Sequence, residues 1–285
     1  MTHSEAAERY AVMGNPVTHS KSPAIHRMFA SQFKDNIDYT AIQVDLDGFA
    51  DAVRQFRDTG GRGLNVTVPF KLEAFRLADT RTDQAEKAQA ANTLRFSRDG
   101  RIEAHNTDGL GLVRDLARLL GTKWREHAAG LFAGKSILVL GAGGAVRGVL
   151  APMLECAPAM VVIANRTIAR AQELKQIAGT PLVRVCGFDD LAGQRFDIVI
   201  NGTSASLKGE VPPLPRGIFR AGALAYDMMY GNHSTPFMDW ARQNHAATVS
   251  DGLGMLVEQA AESYYFWRGK RPETAEVMAA LRVGA

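Results

Sequence analysis

The 285-residue sequence holds only two cysteines, Cys156 and Cys186. Two thiols cannot build a cysteine-rich metal cluster, and they read as small core residues of a reducing compartment. No His/Cys/Asp grouping suggests a metal, and the lone His19 and His105 are assigned no role. No apolar run approaches the roughly 18–20 residues of a membrane span, so neither a transmembrane helix nor a membrane partner is expected. Met1 to Arg9 lacks the apolar stretch of a secretory signal and reads as a short loose tail. A cytoplasmic location follows as the expectation. The net charge is only +3 and the basic residues are scattered, which excludes the stripe a nucleic-acid partner requires. What remains is ordinary: 46% hydrophobic and 22% charged residues, the composition of a soluble globular protein. The length suffices for one large domain or two ordinary ones.

The most informative stretch is Ser136 to Leu150. The apolar run Ile137 to Leu140 leads directly into Gly141-Ala142-Gly143-Gly144-Ala145, and a helical apolar face follows through Val146, Val149, Leu150 and Met153. A strand, a glycine turn and a helix start in that order make a phosphate site. Glycine admits close backbone approach, and the helix start offers unpaired N–H donors at the positive end of its dipole. A second apolar run, Met160 to Ala164, ends at Asn165-Arg166-Thr167, where a dinucleotide ribose lies in a βαβ unit. Nicotinamide sites for NAD usually carry an acidic residue there. This turn has none and offers a guanidinium to a 2′-phosphate, so NADP is the expected cofactor.

The first hundred residues carry a different set of polar groups. A strand over Tyr10 to Met13 precedes Val17-Thr18-His19-Ser20-Lys21-Ser22-Pro23 and a helix. Ser22 admits two readings, as N-cap before Pro23 or as ligand contact. Ser20 has no capping role in this scheme, and two hydroxyls at a strand-to-helix turn suit a polyhydroxylated ligand. Further on, Leu64, Val66 and Val68 share one strand face while Asn65 and Thr67 share the other. That polar face is either an exposed edge or a ligand surface. Lys71 then opens a helix against the dipole, a local conflict that points to function. A hairpin over Leu94 to Ser97 and Ile102 to His105 turns at Arg98-Asp99-Gly100. It ends at Asn106-Thr107-Asp108-Gly109, where Asp108 is either a cap or a site carboxylate.

Gly121 to Gly134 is a polar connection, and from Ser136 the pattern alternates: strand 136–140, helix 144–155, strand 160–164, helix 167–178, strand 182–186. Strands at 197–200, 223–226 and 247–249 follow, with a helix from Thr235-Pro236. This spacing predicts an α/β protein with a doubly wound parallel sheet, its ligand crossing the carboxyl ends of the strands where Thr203 and Met228 fall. Two terminal helices, one from Asp251 onward and one from Pro272 to near Val283, are expected to pack on the first 105 residues.

Taken together, Gly14-Asn15-Pro16, Ser20-Lys21-Ser22-Pro23, Asn65 through Lys71, Asn106 through Gly109, the glycine turn, Asn165-Arg166-Thr167 and Gly252-X-Gly254-Met255-Leu256-X-X-Gln259-Ala260 resemble the shikimate dehydrogenase family. The match runs in order from about residue 10 to residue 265. The resemblance implies NADP-dependent interconversion of 3-dehydroshikimate and shikimate in aromatic amino-acid (chorismate) biosynthesis, with a small-molecule partner and a monomeric or homodimeric chain. It implies a substrate domain over 1–107 plus 252–285 and a Rossmann-type NADP domain over 108–251. By position it makes Ser20, Ser22, Asn65, Thr67, Lys71, Asn92, Asp108, Tyr230 and Gln259 the substrate contacts, with Lys71 and Asp108 the catalytic pair. It adds Gly252 and Met255 to the cofactor contacts Gly141 to Ala145, Asn165 to Thr167, Thr203 and Met228.

One departure concerns the glycine fingerprint, whose sixth position is Val146 rather than Gly or Ala, expected to loosen the contact between helix and strand. Tyr230 precedes Gly231-Asn232-His233, which does not match the family pattern firmly. Two rival readings stand: a quinate/shikimate dehydrogenase that also uses NAD, and a non-catalytic NADP-binding sensor. Thr67 and the Asn165-Arg166-Thr167 turn argue against the first, and the joint presence of Lys71 and Asp108 against the second.

Overall fold

The structure, a computed structural model, describes residues 6–122 and 128–283. Residues 1–5 of the tail expected over Met1 to Arg9, and residues 123–127 of the connection expected between Gly121 and Gly134, lie outside the described residues. Glu8 and Arg9, read from sequence as tail, open the first strand instead. The chain divides into two compact units, one running up to Gly111 together with Val257–Leu281, the other Leu112–Leu256 with the residues from Arg282.

The first unit is built on β1 (Glu8–Gly14), α1 (Ser22–Phe33), β2 (Ile37–Gln43), α2 (Phe49–Asp58), β3 (Gly61–Val66) and α3 (Lys71–Leu77). There follow β4 (Thr80–Arg81), α4 (Asp83–Ala88) and the hairpin of β5 (Thr93–Phe96) and β6 (Ile102–His105). The six strands form one mixed sheet in the order β2-β1-β3-β5-β6-β4. β1 runs parallel to β2 and β3, whereas β3 and β5, and β5 and β6, are antiparallel. One face buries Phe49, Val53, Phe56, Leu64, Val66, Phe70 and Leu94. The hairpin forms where the Arg98-Asp99-Gly100 turn requires it, with Gly100 at φ +82.

The second unit contains most of α5 (Asp108–Leu119) and then β7 (Ser136–Leu140), α6 (Gly144–Glu155), β8 (Met160–Ala164), α7 (Ile168–Ala178) and β9 (Val183–Cys186). It continues with β10 (Phe196–Asn201), β11 (Phe219–Asp227), α8 (Pro236–Gln243), β12 (Thr248–Ser250) and the first residues of α9 (Leu253–Arg268). The rest of α9 and most of α10 (Ala275–Val283) belong to the first unit, the one on which the terminal helices are expected to pack. The sheet of the second unit is wholly parallel, in the order β12-β11-β10-β7-β8-β9. This is the doubly wound arrangement expected of alternating apolar runs and amphipathic helices, with the order reversing between β7 and β10. The strands are apolar on both faces because helices cover both.

Three local expectations are corrected. Helix α1 includes Ser22, its N-cap is Lys21, and the capping bond comes from Ser20, whose Oγ accepts the Ser22 N–H at 3.2 Å. The last helix begins at Ala275 rather than Pro272. Val146 does not loosen the sheet contact: it is fully buried, and a Cβ placed on Gly202 would lie 2.5 Å from its Cγ2. The small residue has moved across the interface to Gly202, and the packing closes from the other side.

A second glycine is fixed by a charge. A Cβ at Gly254, in the first turn of α9, would lie 2.1 Å from the Asp115 carboxylate. That carboxylate is buried and held by Tyr226 Oη at 2.8 Å and Arg118 Nε at 2.8 Å, so it has nowhere to retreat. Helix propensity alone makes Gly→Ala stabilising by about 1 kcal/mol. Overpacking reverses the sign, and Gly254→Ala is expected to lose about 1–3 kcal/mol in urea denaturation. A raised urea midpoint would contradict this packing.

Candidate functional site

The first unit gathers its polar groups where β3 and β6 end, where β5 starts, and where α3 and α5 begin. Thr67, just past β3, donates its backbone N–H to Met13 O at 2.9 Å, which extends the pairing onto the end of β1. This approach requires glycine at position 14, where a Cβ would lie 2.2 Å from Thr67 Cγ2. Lys71 is the first residue of α3, and its Nζ lies 2.5 Å from Asp108 Oδ2. The two side chains are 14% and 7% exposed.

Asp108 does not cap its own helix. Its backbone N–H donates to Asn106 Oδ1 at 3.1 Å, while its second carboxylate oxygen accepts from Asn92 Nδ2 at 2.8 Å. Asn92 is the centre of this wall: its Oδ1 accepts the Thr107 N–H at 2.9 Å, and its amide also approaches Gln259 Oε1 at 3.3 Å. Each carboxylate oxygen therefore has one fixed donor. Lys71 Nζ can donate more than one hydrogen bond, and among the described residues Asp108 is its one partner, which leaves donors for a ligand. Buried charge-assisted bonds of this kind are short and directional, so the pair holds the Lys71 side chain in one orientation.

Asn65 is engaged differently from the sequence expectation of an open polar face. Its Oδ1 accepts from Tyr39 Oη at 2.7 Å, and its amide serves Ser263 Oγ at 2.9 Å, Thr93 Oγ1 at 3.1 Å and Asn92 O at 3.2 Å. Its amide donors are thus engaged, and the second lone pair of Oδ1 is what it can offer a ligand without exchanging a bond. Sequence reasoning missed Thr93, Thr107, Tyr39 and Ser263, which tie Asn65 to Asn92. Ser263 stands one helical turn beyond Gln259 on α9, and that spacing was the available signal. Of the nine substrate contacts, Ser20, Ser22, Asn65, Thr67, Lys71, Asn92, Asp108 and Gln259 belong to the first unit. Lys71, Asn92, Asp108 and Gln259 form one bonded group with Thr107. Ser20 is spent on the start of α1, and Ser22 is buried beside it. Tyr230 belongs to the second unit, half-buried after β11, where burial pushes its phenol pKa up.

The second unit carries the glycine turn. Gly141 sits at φ +99, a conformation that favours glycine, and a Cβ there would crowd Gly202 O at 3.1 Å. Gly143 is the N-cap of α6 and offers no side-chain acceptor to the first turn. A Cβ on Gly143 or Gly144 would meet nothing within 4 Å, and no side chain caps the first turn of α6, whose leading N–H groups lack intrahelical acceptors. At the end of β8, Arg166 is exposed, and the following helix α7 also starts without a side-chain cap, at Thr167. The Asn165 amide donates to Thr167 O at 2.8 Å, closing the turn locally. An uncapped helix start and a free guanidinium fit a pyrophosphate and a 2′-phosphate respectively.

Thr203 and Met228 follow the carboxyl ends of β10 and β11. Both Thr203 N–H and Oγ1 donate to Asn201 Oδ1, at 3.1 and 2.7 Å, and the Met228 N–H donates to Asn201 O at 2.9 Å. Gly252 packs on the same loop, where a Cβ would lie 2.3 Å from Met228 O. Met255 is buried, and its N–H donates to Tyr226 Oη at 3.3 Å. No group of three or more His, Cys, Asp or Glu able to hold a metal occurs among the described residues. None of their helices is long and apolar enough to cross a membrane. Both thiols are free, and burial pushes Cys156 up to about 12 and raises Cys186 as well, which disfavours the thiolate at both.

Comparison with known proteins gives these arrangements a lineage. Residues 12–94 match the family model described as the shikimate dehydrogenase substrate binding domain. Residues 125–208 match shikimate / quinate 5-dehydrogenase, and 252–282 the shikimate 5′-dehydrogenase C-terminal domain. The chain is 56% identical over 276 residues to shikimate dehydrogenase (NADP(+)) of Alkalilimnicola ehrlichii, covering 96% of this chain and 98% of that one. Among solved structures it is similar to an Ael1 enzyme from Pseudomonas putida, at 47% identity and a TM-score of 0.87, covering 96% and 98% of the two chains. The shikimate 5-dehydrogenase of Thermus thermophilus in complex with NADP(H) and shikimate is 29% identical, with a TM-score of 0.83 and coverage of 98% and 100%. By its sequence over nearly its whole length, the chain belongs to the shikimate dehydrogenase family.

Proposed function

We propose that this chain is a cytoplasmic NADP-dependent shikimate dehydrogenase that interconverts 3-dehydroshikimate and shikimate in the biosynthesis of chorismate and the aromatic amino acids. It acts on this small-molecule substrate as a monomer or homodimer. The observation that carries the reading is the Lys71–Asp108 pair: a largely buried lysine whose Nζ meets, among the described residues, this one carboxylate and keeps donors for a ligand.

The first unit serves as the substrate unit and the second as the cofactor unit. Gly141 to Ala145 cradle the pyrophosphate on the start of α6, and Asn165, Arg166 and Thr167 receive the ribose phosphate. Thr203, Met228, Gly252 and Met255 line the rest of the cofactor path. Bound NADPH supplies the hydride for the carbonyl carbon.

The chain's own task is the other half of the reduction. The carbonyl oxygen gains negative charge as its carbon is reduced, and it needs an electrophile and then a proton. Lys71 offers an N–H to that oxygen, polarises the carbonyl, and gives up a proton as the alkoxide forms. The resulting amine regains its proton from solvent. Asp108 keeps the Lys71 Nζ aimed, and its remaining lone pairs accept a substrate hydroxyl. Asn92 and Gln259 fix Asp108 and present further polar groups to the ring, with Asn65 and Thr67 on the strand beside them. Ser20, Ser22 and Tyr230 complete the set of substrate contacts.

Reduction of NADP+ and NAD+ at 340 nm, with shikimate and quinate side by side, tests the reading. NADP+ with shikimate is expected to be the fastest pair. Equal rates with quinate and NAD+ would favour a quinate/shikimate dehydrogenase, and no turnover with any pair would leave a binding protein. In the same assay, Lys71→Ala should lower kcat by about 10² or more with little change in KM, because proton transfer contributes about 10²–10⁴-fold. An unchanged kcat would end Lys71's role. Arg166→Ala should reduce the preference for NADP+ over NAD+ by about tenfold or more, the value of a charge-assisted bond to phosphate. A constant preference ratio would mean that another group reads the 2′-phosphate.

A further inference from the structure

The mechanism leaves unused a carboxylate that the second unit buries completely. Asp227 closes β11 and is 0% exposed. Its Oδ1 accepts from Asn201 Nδ2 and from the Met229 N–H, each at 3.1 Å. Its Oδ2 accepts from Ser206 Oγ at 2.8 Å and Thr235 Oγ1 at 2.6 Å. None of the four donors is a cation. Burial raises the Asp227 pKa, and the four hydrogen bonds pull in the opposite direction. A buried carboxylate without a counter-charge is a costly way to fill space, and an apolar side chain would be cheaper if packing were the only need.

The four donors come from separate segments. Asn201 ends β10, Ser206 lies in the short turn after it, Met229 is in the exit of β11, and Thr235 caps α8 by accepting the Met238 N–H. Asp227 therefore joins the loop after β10 to the loop after β11 through the four bonds its side chain accepts. Asn201 passes the constraint on, because its own Oδ1 holds Thr203 and its backbone O holds Met228. Tyr226, the preceding residue, fixes the opposite face of the strand end by bonding to Asp115 and the Met255 N–H.

The sheet order says which part of a dinucleotide those loops serve. β10 and β11 lie on one side of β7, and β8 with its Arg166 turn lies on the other. A dinucleotide crossing the carboxyl ends places its adenosine over the half with the ribose-binding turn and its second nucleoside over the other half. We infer that Asp227 is a positioning residue that fixes the two loops on which the nicotinamide end of NADP rests. This inference builds on the NADP-dependent reading above. It assigns Asp227 to one half of the cofactor and not to the pyrophosphate or the 2′-phosphate.

The test compares two ligands by calorimetry on the full chain: NADP+, and 2′,5′-ADP, which keeps the adenosine phosphates and lacks nicotinamide. Asp227→Asn should raise the Kd for NADP+ about tenfold or more and leave that for 2′,5′-ADP within about twofold. KM for shikimate at saturating cofactor should stay at the wild-type value. Ser206→Ala removes one donor and should shift NADP+ affinity in the same direction by a smaller factor; it carries the test if Asp227→Asn fails to fold. Equal weakening of both ligands, or NADP+ affinity unchanged in both variants, would overturn the inference. A wild-type chain that binds neither ligand would overturn the NADP reading, and the inference with it.

Discussion

A lysine and an aspartate facing each other at 2.5 Å, both largely withdrawn from water, set the terms for the rest of the first unit. Removing either partner of such a pair strands the other charge in a poor solvent, a loss of about 3–5 kcal/mol in typical proteins. The pair persists because a wall of neutral amides and hydroxyls fixes it. Asn92 takes the free oxygen of Asp108, Thr107 and Gln259 hold Asn92, and Ser263 and Thr93 connect that group to Asn65. The neutral groups fix the geometry, while Lys71 keeps N–H donors for a ligand. A site that hydrogen-bonds its own carboxylate this fully has little orientation left to settle when substrate arrives.

The second unit depends on small residues rather than on charge. Gly141, Gly143 and Gly144 leave the helix start open, and Gly202 gives up the volume that Val146 takes. Gly252 lets α9 begin close against Met228 O, and Gly254 admits the Asp115 carboxylate. Each is a place where backbone or a short polar group must come within contact distance. The polar clamps of Asp227 and Tyr226 then hold the strand ends that these glycines bring together.

Much of this was legible in the residues because it is periodic or local. Apolar runs broken by glycine gave the strands and helices of the parallel sheet, and a lysine at a helix start marked itself by opposing the dipole. Elements without a period were not legible. β4 has two residues and α4 six polar and small ones, too few for any repeat to register. The exchange of roles between Ser20 and Ser22 turned on one residue of helix start, which sequence patterns do not resolve. Ser263 and Asp227 were missed for another reason. Their partners lie up to 198 residues away in one case and on three separate segments in the other, and no local pattern announces such bonds. Val146 shows the limit of a motif read alone, since the space it needs is supplied by a glycine outside the motif.

The central claim is that Lys71 and Asp108 act as one device. A double-mutant cycle in kcat, measured for Lys71→Ala, Asp108→Ala and the double variant, tests it directly. Groups that act as a unit are strongly non-additive. The double variant should therefore fall within about threefold of the more damaged single one. Losses that multiply across the two substitutions would show two independent contributions and contradict the account.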